Sequence, residues 1–275
     1  MHYAGFYTSG YASTDTLQVG NLIIKNQLFE EATLLKPVPL WDDIFDSVLG
    51  LSRLQVDNEE SWLRAVSPFH NMIHQGLLQK NLFSLKLSEK ATNRTGELLL
   101  GHINKDLYVG NLSSFPVSMT YSTNSRARYF LAPGWQVDAY SVSYRFGGKS
   151  IKNFSLAGYA AAFSTVSPYI DLPREIGSNI LDYLGADSSH LVECDQRDSM
   201  PDFVFNLGHD MVPFILKPYD YIRKQPQWEW STTCQVEISL HDEPEDRTKY
   251  IVLGSVFLGR WYSVFDYDNA QISCR

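Results

Sequence analysis

The sequence predicts an all-β protein decorated with a few short helices. Two observations carry this. Aromatic residues make up 13% of the 275 positions, and with the many Val, Ile and Thr they favour pleated, half-buried surfaces. Short runs of period-two hydrophobicity, broken by turn residues, also outnumber stretches of helical period.

Taken in chain order, strands are predicted over Asp15–Ile24, Asn81–Leu87, Glu97–Leu100, Gln136–Phe146, Asp202–Asn206 and Tyr250–Leu253. Phe83, Leu85 and Leu87 alternate with polar neighbours, the mark of a strand with one buried face. Ser67-Pro68 reads as an N-cap followed by Pro at the first helical position, with Gly76 closing that helix. Phe69, Met72, Ile73 and Leu77 then share one face. A second helix is predicted from Pro173 to Leu184, with Ile176, Ile180, Leu181 and Leu184 inward and Gly185 as its stop. Asn58–Val66 is a third helical candidate. Phe257, Leu258, Trp261, Val264 and Phe265 alternate with smaller residues and read as a strand pair. A boundary near Phe115-Pro116-Val117 divides the chain into 1–117 and 118–275, two strand-rich blocks of similar design.

Composition narrows the function classes. A net charge of −8 and a pI near 5.3 argue against a nucleic-acid partner, and no apolar run is long enough to span a membrane. Met1-His2-Tyr3-Ala4-Gly5 shows no signal peptide. Three cysteines, at 194, 234 and 274, allow at most one internal bridge and a leftover thiol. The leftover thiol is then a candidate for bridging between molecules. Asn93, Asn111 and Asn153 each open an Asn-X-Ser/Thr triplet, the acceptor pattern of a secreted glycoprotein.

Several blocks, in order, resemble the pepsin-like aspartic peptidase family. Val48-Leu49-Gly50-Leu51 is similar to the apolar-apolar-Gly element of its first lobe. Asn81–Leu87 and Gly96–Gly101 match two strands leaving that lobe, and Trp135-Gln136-Val137 an early strand of the second. Val252–Asp266 is close to the closing signature of the family. The resemblance implies a bilobal acid-protease fold, a disulfide between Cys194 and Cys234, a cleft between lobes for a peptide or small-molecule ligand, no cofactor, and a secreted or vacuolar location. Gly50 and Gly254 are expected where a strand passes close beneath another backbone. Asp15–Gly20 resembles the strand after the flap, which places Tyr3 on the flap tyrosine. The first lobe is therefore expected to be incomplete, with the first Asp-Thr-Gly outside this chain.

Such peptidases work through two carboxylates that share a proton, one activating water while the other protonates the substrate carbonyl. The resemblance sets the second Asp-Thr-Gly on Ser164-Thr165-Val166. Ser164 stands where the aspartate belongs and Val166 where the glycine belongs, so no catalytic residue is expected to be intact. Tyr3, Ser164, Thr165 and Val166 are what the resemblance leaves of a substrate cleft. The expectation is a pseudopeptidase. The alternatives are an active endopeptidase with an incomplete gene model, or a cleft reused for small-molecule binding or non-proteolytic catalysis.

Other chemistry finds little support. Ser164 has no histidine at a triad spacing, and a bland role, its hydroxyl bonded to nearby backbone, is expected. His70 and His74 lie i, i+4 but lack a third ligand, so no metal is expected. Asp171 is expected to cap the helix after it, and His241–Arg247 to be a solvated loop.

Overall fold

A computed structural model describes residues 2–3, 6–36, 48–53, 66–88, 95–224 and 231–275. Asn93 and most of the predicted 58–66 helix lie outside the described residues. The chain falls into two compact units, Met1–Asn81 and Leu82–Arg275.

The first unit holds β1 (His2–Tyr3), β2 (Phe6–Val19), β3 (Leu22–Lys36) and α1 (Pro68–His74). The sheet runs in the order β1-β2-β3. The strand expected over Asp15–Ile24 is two strands, because Val19 pairs with Leu22 across Gly20-Asn21. Gly20 has φ +60, the left-handed geometry a two-residue hairpin loop requires. Helix α1 starts as predicted, the Ser67 hydroxyl accepting from the His70 N–H at 3.3 Å. Gly76, at φ +62, follows its last turn. The Gln75 side-chain amide donates to the Lys25 carbonyl at 2.8 Å and accepts from the Lys25 N–H at 3.1 Å, fixing α1 to β3.

The second unit begins with β4 (Leu82–Lys86), β5 (Glu97–Leu100), β6 (Ser113–Pro116), α2 (Ser125–Leu131), β7 (Gln136–Phe146) and β8 (Lys149–Phe163). Next come β9 (Ile170–Pro173), α3 (Arg174–Leu184), β10 (Leu191–Glu193), β11 (Asp202–Leu207) and β12 (Val212–Leu216). The chain continues through α4 (Pro218–Tyr221), β13 (Ile222–Arg223), β14 (Thr233–Val236), β15 (Ile238–His241) and β16 (Tyr250–Leu253). It ends with α5 (Ser255–Arg260), β17 (Ser263–Asp266) and β18 (Gln271–Cys274).

Two sheets dominate this unit. One has the order β12-β11-β7-β8-β16-β9-β15, the other β5-β4-β17-β18-β6. The strands over 82–116 thus share a sheet with the last two strands of the chain. Aromatic rings fill the core: Phe83 stacks on Phe265 at 4.6 Å, and Trp135 meets both edge-on. Ring pairs of this kind add roughly 0.5–1.5 kcal/mol beyond area burial.

Three sequence expectations need correction here. Phe257 and Leu258 lie on helix α5, not on a strand, because the chain turns at Gly254 before it can pair again at Ser263. Their burial fits a core-facing helix as well as a strand. Gly50 is under no pressure to lack a Cβ, since one built there would meet Pro68 and Ser67 at an ordinary 3.5 Å. Cys274 is buried on β18, where burial pushes its thiol up to about 12 despite a contact from the Ser263 hydroxyl, so it is not presented for bridging.

Candidate functional site

Strands β8 and β9 follow one another in sequence, yet β16 lies between them, parallel to β8 and antiparallel to β9. Residues 164–169 must therefore arch over the end of β16. That arch carries Ser164, Thr165 and Val166. It is bound to the chain beneath: Ser164 N–H donates to Leu253 O at 3.3 Å, Ser255 N–H to Ser167 O at 2.8 Å, and Val256 N–H to Pro168 O at 3.1 Å. The Ser255 hydroxyl donates to Thr165 O at 3.4 Å.

Gly254 sits directly below the arch. A Cβ at this position would overlap the carbonyl oxygens of Tyr169 and Ser167, so the close approach expected from the sequence is present. Ser164 is half-buried, Thr165 exposed and Val166 half-buried. The bland role foreseen for the Ser164 hydroxyl is not met: it makes no hydrogen bond among the described residues. Tyr3 pairs with Phe6 in β1 and β2 of the first unit.

Asp171, seven residues past Ser164, does not cap α3. The N-cap of that helix is Pro173, with no side-chain cap bond. Asp171 is instead 1% exposed, and its carboxylate accepts from the Arg126 guanidinium at 2.8 Å. Its other oxygen lies 3.1 Å from His241 Nδ1. Burial pushes this carboxyl up, but the hydrogen bond and charge of His241, with those of Arg126, outweigh it and hold it below the usual range. The Tyr250 ring stacks on His241 at 4.2 Å. A buried carboxylate paired in this way and held below the usual range is a poor base for water.

The run 241–247 is for the most part the expected solvated loop, with Asp242, Glu243, Glu245, Asp246 and Arg247 exposed. His241 is buried, and Asp246, although exposed, accepts from Ser122 Oγ and Thr123 N–H, both at 2.7 Å. These bonds hold the entry to α2 and keep the Asp246 carboxyl well below the ordinary range. Of the histidine pair, His70 is buried and bonded to Ser67 Oγ at 3.0 Å, whereas His74 is exposed. The His70 and His74 rings lie 6.4 Å apart, and no metal-binding cluster occurs among the described residues.

Cys194 and Cys234 are joined by a disulfide, Cα–Cα 5.0 Å, beside the β10–β14 pairing of Val192 with Cys234. Asn111 and Asn153 are both exposed. No helix among the described residues is long and apolar enough to cross a membrane.

Comparison with known proteins gives a consistent picture. The family model described as eukaryotic aspartyl protease matches residues 1–274. Vacuolar protease A of Aspergillus fumigatus is 31% identical over 280 residues, covering 99% of this chain and 63% of that protein. Cathepsin D of Gallus gallus is 31% identical over 280 residues, covering 99% and 64%. The chain thus spans less than two thirds of the length of these relatives. The crystal structure of an aspartic proteinase from Irpex lacteus superposes with a TM-score of 0.77 at 20% identity, covering 100% of this chain and 79% of that one. It shares the mostly β, bilobal fold with few short helices.

Proposed function

This chain belongs to the eukaryotic aspartyl protease family, and we propose that it is a member that does not cleave peptides. The observation that carries the proposal is Ser164. It stands first after β8 on the arch over Gly254, at the place the family motif gives to the second catalytic aspartate. A serine hydroxyl can neither share an acidic proton nor serve as a base for water near neutral or acid pH. The chemistry belongs to a pair of carboxylates, so one lacking partner is enough to stop it, whatever residues lie elsewhere.

Two further features support the reading. Val166 brings a β-branched side chain to the position where the motif has glycine, narrowing the space beside the missing carboxylate. Asp171, the nearest acidic side chain in sequence, is buried and bound to Arg126 and His241. In this reading residues 118–275 are the second lobe and 1–117 the portion of the first lobe that the chain carries. A peptide or small molecule held between lobes would be bound without being cleaved.

A vacuolar or secreted location forms part of the same proposal. The Cys194–Cys234 bond suits an oxidising compartment, and exposed Asn111 and Asn153 are available for glycosylation there. The test is hydrolysis of a denatured protein at acid pH by the full chain, with and without a statine-type inhibitor. No inhibitor-sensitive cleavage is expected; cleavage that the inhibitor abolishes would overturn the proposal.

A further inference from the structure

The hairpin of β7 and β8 carries Ser164 beyond one end and a second concavity at the other. Gln136 pairs with Ala162 near Ser164, whereas Phe146 pairs with Lys149 at the turn. The two ends are separated by the length of β7, roughly 30 Å at the usual rise of a strand. At the turn end, the last residues of β7, the turn over 194–199, the start of β11 and the start of α4 border an open cleft of about 390 Å³.

The charges lining this cleft are unequally matched. Lys217 Nζ donates to Asp202 at 2.6 Å, and Asp198 accepts from the Tyr219 hydroxyl at 3.0 Å. Arg197 donates its Nε–H to the Cys194 carbonyl at 3.0 Å and lies 4.4 Å from the centre of the Tyr219 ring. That leaves its terminal nitrogens without a carboxylate among the described residues. Arg145 has no ion pair there either, and its Nε is buried with no hydrogen-bond partner. Three cationic side chains against two acidic ones leave a surplus of one positive charge.

Apolar side chains share the lining with these charges. Phe146 and Tyr219 expose 52% and 57% of their surfaces, and Met200 and Pro218 complete the lining. Guanidinium forks bind carboxylates in bidentate fashion, while exposed aromatic faces beside them welcome an apolar body. A dianion such as phosphate would gain less, since it faces Asp198 and Asp202 and leaves the aromatic walls uncovered.

We infer that this cleft binds a monocarboxylate with an aryl or alkyl body, either a free acid or the C-terminal carboxylate of a peptide. The site stands apart from the Ser164 arch, so it does not depend on whether the chain cleaves peptides.

Isothermal titration of the full chain tests this with 3-phenylpropionate, its alcohol 3-phenylpropanol, inorganic phosphate, and a peptide ending in Phe as free acid or amide. Saturable binding of an acid with a Kd of about 1 mM or tighter is expected, with none for the alcohol or the amide. Whether the small acid or the acid-ended peptide binds tighter distinguishes the two sources. Arg145→Gln and Arg197→Gln should each weaken binding at least about tenfold, and an unchanged melting midpoint shows that each variant is folded. Should one variant fail to fold, the other decides. Absence of saturable binding by either acid, phosphate binding as tightly as the acids, or full affinity in the folded variants would overturn the inference.

Discussion

Asp171 and His241, seventy residues apart in sequence, meet as a buried pair with 3.1 Å between carboxylate oxygen and Nδ1. Parallel pairing of β9 with β15, Asp171 opposite Ser239 and Pro173 opposite His241, brings them together. Arg126 reaches the other carboxylate oxygen from α2. One acidic group thereby joins two strands to a helix behind the Ser164 arch.

This pairing predicts a stability effect with a defined pH dependence. The folded Asp171 carboxyl is held below its unfolded value, so its contribution is complete above the unfolded pKa and is lost as pH falls through the folded one. Asp171→Asn removes the charge from a buried set of partners and should destabilise by about 3 kcal/mol at neutral pH. Urea titrations at several pH values should show the gap from wild type persisting down to about pH 4 and shrinking below it. A gap unchanged at pH 2 would exclude the charge as its source.

The arch itself gives a second prediction. Gly254→Ala places a methyl group against two backbone carbonyls, Tyr169 O and Ser167 O, and neither can swing aside as a side-chain tip would. The strand or the arch must move, at a cost of about 3 kcal/mol. The thermal midpoint of the purified variant checks this. A midpoint equal to wild type would mean that the arch is loosely held.

Much of this was legible in the sequence, and the failures share a physical cause. Strands β5, β7 and β16 have the boundaries their local patterns predict, α1 has its predicted Ser67 cap, and α3 its predicted inward face and Gly185 stop, because those signals are local. Gly254 was readable from its place between an apolar run and a second one. Asp171 was misread as a cap because its true partners come from β15 and α2, and no local pattern encodes a parallel pairing across seventy residues. Burial misled at Phe257 and Leu258, since a short core-facing helix and a strand both hide such residues. Arg145 and Arg197 gave no signal at all; each is an ordinary surface arginine until the fold sets them around one cleft.

The disulfide carries a third prediction. Cys194 and Cys234 close a loop with a sequence separation of 40, and cross-linking a loop of that size restricts the unfolded chain by about 4 kcal/mol in the chain-entropy description. The Cys194→Ser, Cys234→Ser double variant should lose about that much in denaturant unfolding. Wild type should lose a similar amount once reduced, and the reduced double variant should lose nothing more.

Cys274 supports the last prediction. Its side chain is 1% exposed, its sulfur lies 3.6 Å from Ser263 Oγ, and its thiol is shifted up to about 12 by burial. Thiolate, not thiol, is the reactive form, so access and ionisation both oppose modification of the folded chain. Titration with a thiol reagent at pH 8 should find no reactive group in the native protein and one in denaturant, with the disulfide intact. Because reaction requires opening of β18 from its neighbours β17 and β6, its rate reports local unfolding of that sheet. Asp171→Asn, acting in the other sheet, should leave this rate unchanged if the two sheets open separately and raise it if they open together. Rapid modification of the native wild-type protein would show that β18 is not held as described.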